Sequence, residues 1–423
     1  MTMAEWRETT LGEICDEVDG IIQTGPFGSQ LHESDYSSEG IPVVMPKDII
    51  EGRITTDGVA RVSPEHVERL SRHKLRSGDI VYGRRGDIGR QALIRQDQEG
   101  WLCGTGCLRL SFGESVLIPL FLHYYLRQDD VVSWIANQAV GATMPNLNTG
   151  ILRTVPVRFP TLPVQQRIAG VLSAYDELIE NNQRRIRILE TMARALYREW
   201  FVEFRFPGHE KVPRVASPLG DIPEGWEAKK LADVAEVNRE QINARNAPDE
   251  LHYIDISSVS PGQIDTITTY AFADAPGRAR RIVQHGDVLW SCVRPNRRSH
   301  AQVMHPDANT IASTGFAVLT AKRVPLTFLY FATTTDDFVA FLTNNATGAA
   351  YPAVTAATFE KADLIIPTAP LLKKFGEITI PIAEQIHTLQ RQIASLRKTR
   401  DLLIPRLLSV GVASGRKSDG DGE

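Results

Sequence analysis

Four marks in this chain occur twice. Gly78-Asp79-Ile80-Val81 returns as Gly286-Asp287-Val288-Leu289, Pro119-Leu120 as Pro325-Leu326, Asp129-Asp130 as Asp336-Asp337, and Pro160-Thr161-Leu162-Pro163 as Pro367-Thr368-Ala369-Pro370. The offset is about 207 residues each time, far beyond the period of a solenoid, so the chain holds two copies of one domain-sized unit. Its 423 residues are material enough for two cores. Each copy runs from a region of strand-like and turn-like segments into a long helical pattern. The order domain, helix, domain, helix limits what the chain can fold into.

From Val164 the apolar positions step by three and four: Ile168, Leu172, Tyr175, Ile179, Asn182, Ile186, Leu189, Ala193, Leu196 and Trp200. This is a coiled-coil seam whose outer faces carry Arg184, Arg185, Arg187 and Glu190. The register reappears in the second copy as Phe375, Thr379, Ile382, Ile386, Leu389, Ile393, Leu396, Arg400, Leu403 and Leu407. Pro381 predicts a first turn or a kink in the second helix, and Pro405 a bent or frayed end. Each helix is roughly 40 residues and about 60 Å long, and neither hides its apolar stripe alone. Antiparallel pairing with each other is the economical solution, since parallel pairing makes the chain return a full helix length before the second domain begins. It would set the domains at opposite ends of one rod, with Asn182 fixing register. A homodimeric coiled coil is the alternative.

Each domain opens with a tryptophan leading into a short mixed segment, from Trp6 to Ile14 and from Trp226 to Val234. Residues 206–225, with four prolines and three glycines, connect the first helix to the second domain. Strand-like runs at 41–44, 79–82, 107–112, 288–290 and 315–320 alternate with turns, and single helices are predicted over 119–137 and 325–344. The fold expected is α+β: tandem domains at residues 1–160 and 206–368, separated by two long helices at 161–205 and 369–410 paired as an antiparallel coiled coil. Residues 411–423, rich in Gly, Ser and Asp, read as a disordered tail.

No run of 18 apolar residues occurs, and MTMAEWRETT lacks the basic-then-apolar pattern of a secretory leader, so a cytoplasmic location is expected. Cys15, Cys103, Cys107 and Cys292 form no CxxC pair and read as buried small hydrophobes, and no metal site is expected. With a net charge of −4 the chain is no general polyanion binder, so any nucleic-acid contact has to be local. Two basic clusters qualify: Arg84, Arg85, Arg90 and Arg95, and Arg294, Arg297, Arg298 and His300. Aligning Gly78 with Gly286 places Arg90 on Arg298. Diverged copies with basic loops in one structural place imply a shared charged partner.

These features together with SGDIVYGRRGDIGR, GATMPNLNTG, FPTLPVQQRIAGVLSAYDELIENNQRRI and IPEGWEAKKLADVA resemble the specificity subunit of type I DNA restriction-modification systems, over about residues 5 to 410. The resemblance implies two target recognition domains, each reading half of a split, asymmetric DNA sequence, with the helices as a ruler. It further implies two methyltransferase subunits docked on the helices, using S-adenosylmethionine, and ATP- and magnesium-dependent translocase-nuclease subunits. The chain itself would bind no cofactor.

Three loops of the first domain are the expected readers. Thr24, Gly25, Phe27, Ser29 and Gln30 lie in a segment that resembles a family motif, where glycine permits close approach and Ser29 and Gln30 offer hydrogen bonds; a plain turn is the alternative. Arg84, Arg85 and Arg90 suit guanine edges or phosphates equally. Thr143 and Asn146, in a family-like element, either contact DNA or pack on the first helix. In the second domain the readers are Arg294, Asn296, Arg297, Arg298 and His300, with Tyr351 in the segment matching 141–145. The Thr-Gly-Pro-Phe-Gly-Ser loop has no counterpart near 237–246, which weakens its carry-over.

An enzyme reading finds little. The chain has neither an Asn/Asp-Pro-Pro-aromatic methyltransferase motif nor GxxxxGK[ST], and its ten histidines form no triad pattern. Asp221 with Glu227 and Lys229 sketches a nuclease site, but in a proline-rich connector. A protein-binding scaffold is the runner-up from another class, and outward basic clusters argue against it.

Overall fold

The computed structural model describes residues 6–86, 88–139, 146–243 and 245–408. The proposed reader Thr143 and the tail 411–423 lie outside the described residues. The chain divides into two compact units that do not follow the linear blocks. One takes residues 1–180 and 394–423, the other residues 181–393, so each unit holds a recognition domain together with part of both long helices.

Each domain is built on two four-stranded sheets. In the first unit one sheet is antiparallel, in the order Ile21–Thr24, Cys107–Ser111, Ile80–Gly83, Gln91–Leu93. The second sheet pairs Leu102–Cys103 parallel with Ile41–Val44, then runs antiparallel through Ala60–Val62 to Tyr36–Ser37. The second unit repeats the first sheet as Ala235–Val237, Phe316–Ala321, Val288–Ser291, His300–Gln302. Its other sheet keeps the parallel pair, Glu250–Ile254 with Thr310–Ser313, but takes Ala279–Ile282 as an edge strand on the far side of Thr310–Ser313. Both faces of these central strands are covered: Ile80–Gly83 and Val288–Ser291 are buried throughout, Tyr82 and Trp290, equivalent in the repeat, fully so. The α+β expectation holds. A hairpin of Arg214–Ser217 with Gly220–Pro223 occupies part of the proline-rich connector.

The helix predicted over 119–137 is two helices, Pro119–Tyr125 and Asp129–Gln138, and its counterpart is Leu326–Ala332 and Asp336–Asn344. The break is a cap. Thr335 is extended and its hydroxyl accepts from the Phe338 amide, and the repeated acid pairs Asp129-Asp130 and Asp336-Asp337 sit in the first turn of the new helix. Pro119 is the first residue of its helix whereas Pro325 caps the next, so the copies register one residue off the Pro-Leu match.

The two long helices run Leu162–Tyr197, continued by a π turn Arg198–Val202, and Ala369–Leu408. Pro381 and Pro405 do not interrupt the second, although each removes one intrahelical donor. Within each unit they pair antiparallel. In the first, Ile168 and Leu172 share a core with Ile404 and Leu408, and Leu403 packs on it. Tyr175 is half-buried and Ile179 buried. In the second, Asn182 Nδ2 donates to Gln392 Oε1 at 3.2 Å while Phe201 meets Phe375 at 4.9 Å between ring centres, so partner numbers fall as helix numbers rise. Leu389 and Ile393 are buried, Ile186, Leu189 and Ile386 half-buried, and Leu196 and Ile382 pack on the domain core; Leu396, in the first unit, is half-buried.

The first unit also buries a charged group that the periodicity does not reveal. Asp176 accepts from Tyr124 Oη at 2.7 Å and pairs with Arg400, with Arg127 at 3.6 Å. Burial opposes ionisation of this carboxyl, but Tyr124 and the two guanidinium groups outweigh it and hold its pKa below the usual range. Replacing Arg400 by Met should lower the unfolding free energy of the first unit by about 3–5 kcal/mol, because the carboxylate stays buried with its closest cation gone. A falling urea midpoint checks this.

Equivalent aspartates in the two copies differ. Asp79 forms a buried ion pair with Arg109. Both accept from the amide three residues before, Arg76 or Gln284, at 2.8 Å, but Asp287 has the Thr320 hydroxyl at 2.7 Å in place of a cation, and burial pushes its pKa from 3.8 to about 6. A carboxyl with a raised folded pKa contributes most while protonated. That stability is whole below about pH 4 and is lost as pH rises through about 6, worth roughly 3 kcal/mol for a shift of this size. Asp287→Asn should abolish the loss, read as the difference in urea midpoint between variant and parent from pH 4 to 7.

Candidate nucleic-acid interface

In each unit a hairpin loop leaves the antiparallel sheet, and the same three backbone hydrogen bonds frame it. Arg84 N donates to Gly106 O at 2.8 Å, Gly83 N to Arg90 O at 2.7 Å and Leu147 N to Arg84 O at 2.9 Å. In the second unit Cys292 N donates to Gly315 O at 2.8 Å, Ser291 N to Ser299 O at 2.9 Å and Val354 N to Cys292 O at 2.9 Å. These bonds set Arg84 on Cys292 and Arg90 on Ser299, so the second loop is one residue longer. The sequence alignment of Arg90 with Arg298 is corrected accordingly. Gly86 (φ 83°) matches Arg294 (φ 51°), and Gly89 (φ 109°) matches Arg298 (φ 55°). Arginines hold left-handed backbone where the first copy uses glycine, which costs of order 1 kcal/mol each.

The first loop's arginines have different surroundings. Arg84 Nε donates to Asn146 Oδ1 at 3.1 Å and to Leu147 O at 3.0 Å, so Arg84 and Asn146 bind each other and close the frame. Arg85 and Arg90 are exposed. Thr24 ends a strand, half-buried. Gly25 is buried, and a Cβ there would stand 1.9 Å from Gly104 O. Its glycine is required by close packing of two backbones rather than by approach to a ligand. The Gln30 side chain accepts from Phe27 N at 3.0 Å and so braces its own turn, leaving Ser29 and Phe27 outward, the Phe27 ring 54% exposed.

In the second unit the loop is a short turn, Pro295–Arg297, with Pro295 buried and Asn296 and Arg297 exposed. Arg294 N donates to Pro352 O at 2.7 Å, its guanidinium reaches Ala350 O at 3.3 Å and lies 4.7 Å over the Tyr351 ring. Tyr351 is 70% exposed. Arg298 pairs with Asp336, holding that carboxyl below the usual range. His300 does not belong to the exposed set: it is buried, its ring 4.8 Å from Trp290, and burial pushes its pKa down to about 4. It opens the strand just past the loop, where both it and Ala301 are buried.

The result is two bracketed surfaces, each a hairpin loop tied to the segment before a short helix. One presents Arg85 and Arg90, with Phe27 and Ser29 exposed on the separate turn after Gly25; the other presents Arg294, Asn296, Arg297 and Tyr351. Charged and amide side chains of this kind suit phosphates and base edges, and exposed aromatic rings suit stacking. Cys103 and Cys107 lie in the apolar core, burial pushing Cys103 up to about 12, and Lys229 of the nuclease-like outline is ion-paired with Glu227.

Residues 3–191 match the family described as the type I restriction modification DNA specificity domain. Nearly the whole chain is similar to type I restriction enzyme specificity subunits. It is 25% identical over 433 residues to the type I restriction enzyme MjaIX specificity subunit of Methanocaldococcus jannaschii, covering 96% of this chain and 95% of that one. To the HindI specificity subunit of Haemophilus influenzae it is 20% identical over 479 residues, covering 96% and 99%. The fold is similar to a solved type I system S subunit from M. genitalium, with TM-score 0.61, 17% identity and 96% and 97% coverage. Among the described residues of this chain no helix is long and apolar enough to cross a membrane.

Arg85→Ala and Arg297→Ala should each weaken binding to the chain's own DNA target by about 1–3 kcal/mol if the side chain meets a base, relaxing selectivity at one position. For a phosphate contact the loss is uniform across sequences and the salt slope falls by about 0.9. Fluorescence anisotropy at several salt concentrations separates the two. Arg84→Ala should act instead through stability of the loop frame.

Proposed function

We propose that this chain is the DNA-reading subunit of a type I restriction-modification complex and recognises a bipartite, asymmetric sequence. Each domain reads one half-site, and the two long helices set the gap. The observation that carries the reading is one backbone frame presenting two different sets of side chains, Arg85 and Arg90 in one copy and Arg294, Asn296, Arg297 and Tyr351 in the other. A shared frame gives both domains one way of approaching a duplex, and different side chains give them different preferences. Identical readers about a twofold axis would call for a palindrome; these do not.

The reading makes this chain a scaffold as well. Two methyltransferase subunits would bring S-adenosylmethionine and the methyl transfer, and restriction subunits would bring ATP, magnesium and translocation. This chain's share is affinity and selection: arginines neutralise phosphate charge, and loop side chains at groove depth discriminate bases. Of the proposed readers, Arg298 and Gln30 contribute by shaping their loops, Gly25, Arg84 and Asn146 by closing the frame, and Thr24 by ending the strand that leads into the first loop. A cytoplasmic setting follows from the substrate.

Co-expression with the methyltransferase encoded beside it, followed by single-molecule mapping of methylated bases in host DNA, tests the reading. A split, asymmetric motif is expected, and joint replacement of Arg294, Arg297 and Arg298 by alanine should erase one half while the other persists. A stable complex that binds DNA and methylates nothing would contradict an active reader, and failure to form a complex would favour a protein-binding scaffold.

A further inference from the structure

We propose that His285, His305 and Glu384 form a binding site for a transition-metal dication of the zinc class, which fastens a turn of the second domain to the second long helix. His305 Nε2 lies 2.7 Å from one Glu384 oxygen and His285 Nε2 lies 3.7 Å from the other. The two imidazole rings are 4.4 Å apart, and the three ligand atoms all fall within 4.8 Å of one another. A tetrahedral ion with bonds of about 2.0–2.1 Å needs its ligand atoms about 3.3 Å apart, so side-chain motion of about 1 Å closes the site. Two imidazoles and a carboxylate match a zinc-class ion better than calcium or magnesium, which take oxygen ligands.

The surroundings permit entry and offer a further ligand. His285 and Glu384 side chains are each 37% exposed and His305 54%, so an ion reaches them from solvent. His387 stands three residues beyond Glu384 on the helix, its ring 5.5 Å from His305. The His305 amide donates to His285 Nδ1 at 3.2 Å. Metal at Nε2 moves the ring proton to Nδ1, so this contact is exchanged for the metal bond. His305 itself is held in left-handed backbone, φ 47°, which turns its ring to the helix.

The first copy shows what this position does. There the equivalent turn, fixed by Gly78 N to Ile94 O where the second copy has Gly286 N to Val303 O, is fastened by Arg95 and Arg53 to Glu180 on the first long helix. Glu177 and Glu180 correspond to Glu384 and His387, and the place of Arg95 is taken by Met304. The second copy has lost both Arg95 and its partner Glu180 from this contact, with Met304 and His387 in their places, and has two imidazoles against the Glu384 carboxylate instead. A metal ion would fasten here what the ion pairs fasten in the first copy. This inference does not depend on the DNA reading.

The test uses the full chain without a histidine tag, stripped with chelator and titrated with zinc chloride by calorimetry and with cobalt chloride by visible absorption. One saturable equivalent, a tetrahedral cobalt spectrum and a raised melting temperature are expected. His305→Asn, which tolerates left-handed backbone, and Glu384→Gln should each weaken binding at least about tenfold, and Glu180→Gln in the first copy should leave it unchanged. Absence of saturable binding overturns the proposal in favour of a plain ion-pair cluster. Binding that both variants leave intact, with folding confirmed by circular dichroism, overturns it equally.

Discussion

The recognition domains keep their geometry only if each stays fixed to the long helices, and in the first a buried carboxylate joins the shared apolar core in doing so. Asp176 gathers Tyr124 from the domain and Arg400 from the second helix, so three elements meet at two oxygen atoms. Taking a charge out of water costs several kcal/mol, and only complete partnering recovers it. At the matching place the second unit uses no charge. At the positions matching Asp176, Tyr124 and Arg400 stand Ala383, Phe331 and Ala193, and the contact is an aromatic cluster in which Phe375 meets Tyr197, Trp200, Phe201, Phe328 and Phe331. One junction is specified by hydrogen-bond geometry and the other by shape.

That division explains how the loops could diverge. The backbone bonds at Arg84 and Cys292, and at Leu147 and Val354, involve main-chain atoms, which any residue supplies. Most side chains of the loop are thus freed from holding it, Arg84 being the exception in the first copy. An extra residue enters the second loop, and Arg294 and Arg298 occupy backbone that Gly86 and Gly89 hold in the first. A frame held chiefly by main-chain bonds lets one fold carry two selectivities.

The seam from Ile168 to Leu403 was legible because helical periodicity depends only on which residues are apolar, and the duplication was legible because turn glycines and paired acids resist drift. The helix break near Gln128 was not predicted, although Asp129-Asp130 carried the signal as first-turn acids. Arginine counting could not separate Arg84, turned inward to Asn146, from Arg85, since both precede a turn and differ only in direction. His300 was grouped with the loop because the extra residue hid where the strand resumes. Asp176 escaped notice because a lone acid on a helix reads as solvated until its partners, more than 50 and 200 residues away, are in place. Gly25 looked like a ligand-facing residue, whereas the constraint on it is the backbone of Gly104.

The central claim, that paired helices space two readers of one target, is tested most directly by lengthening both helices by one heptad, after Glu180 and after Ile393, and mapping methylated sites in host DNA. A heptad adds about 10 Å against about 3.4 Å per base pair, and it preserves the seam. The account predicts the same two half-sites separated by a gap longer by up to about three base pairs. An unchanged gap, with methylation intact, would contradict it.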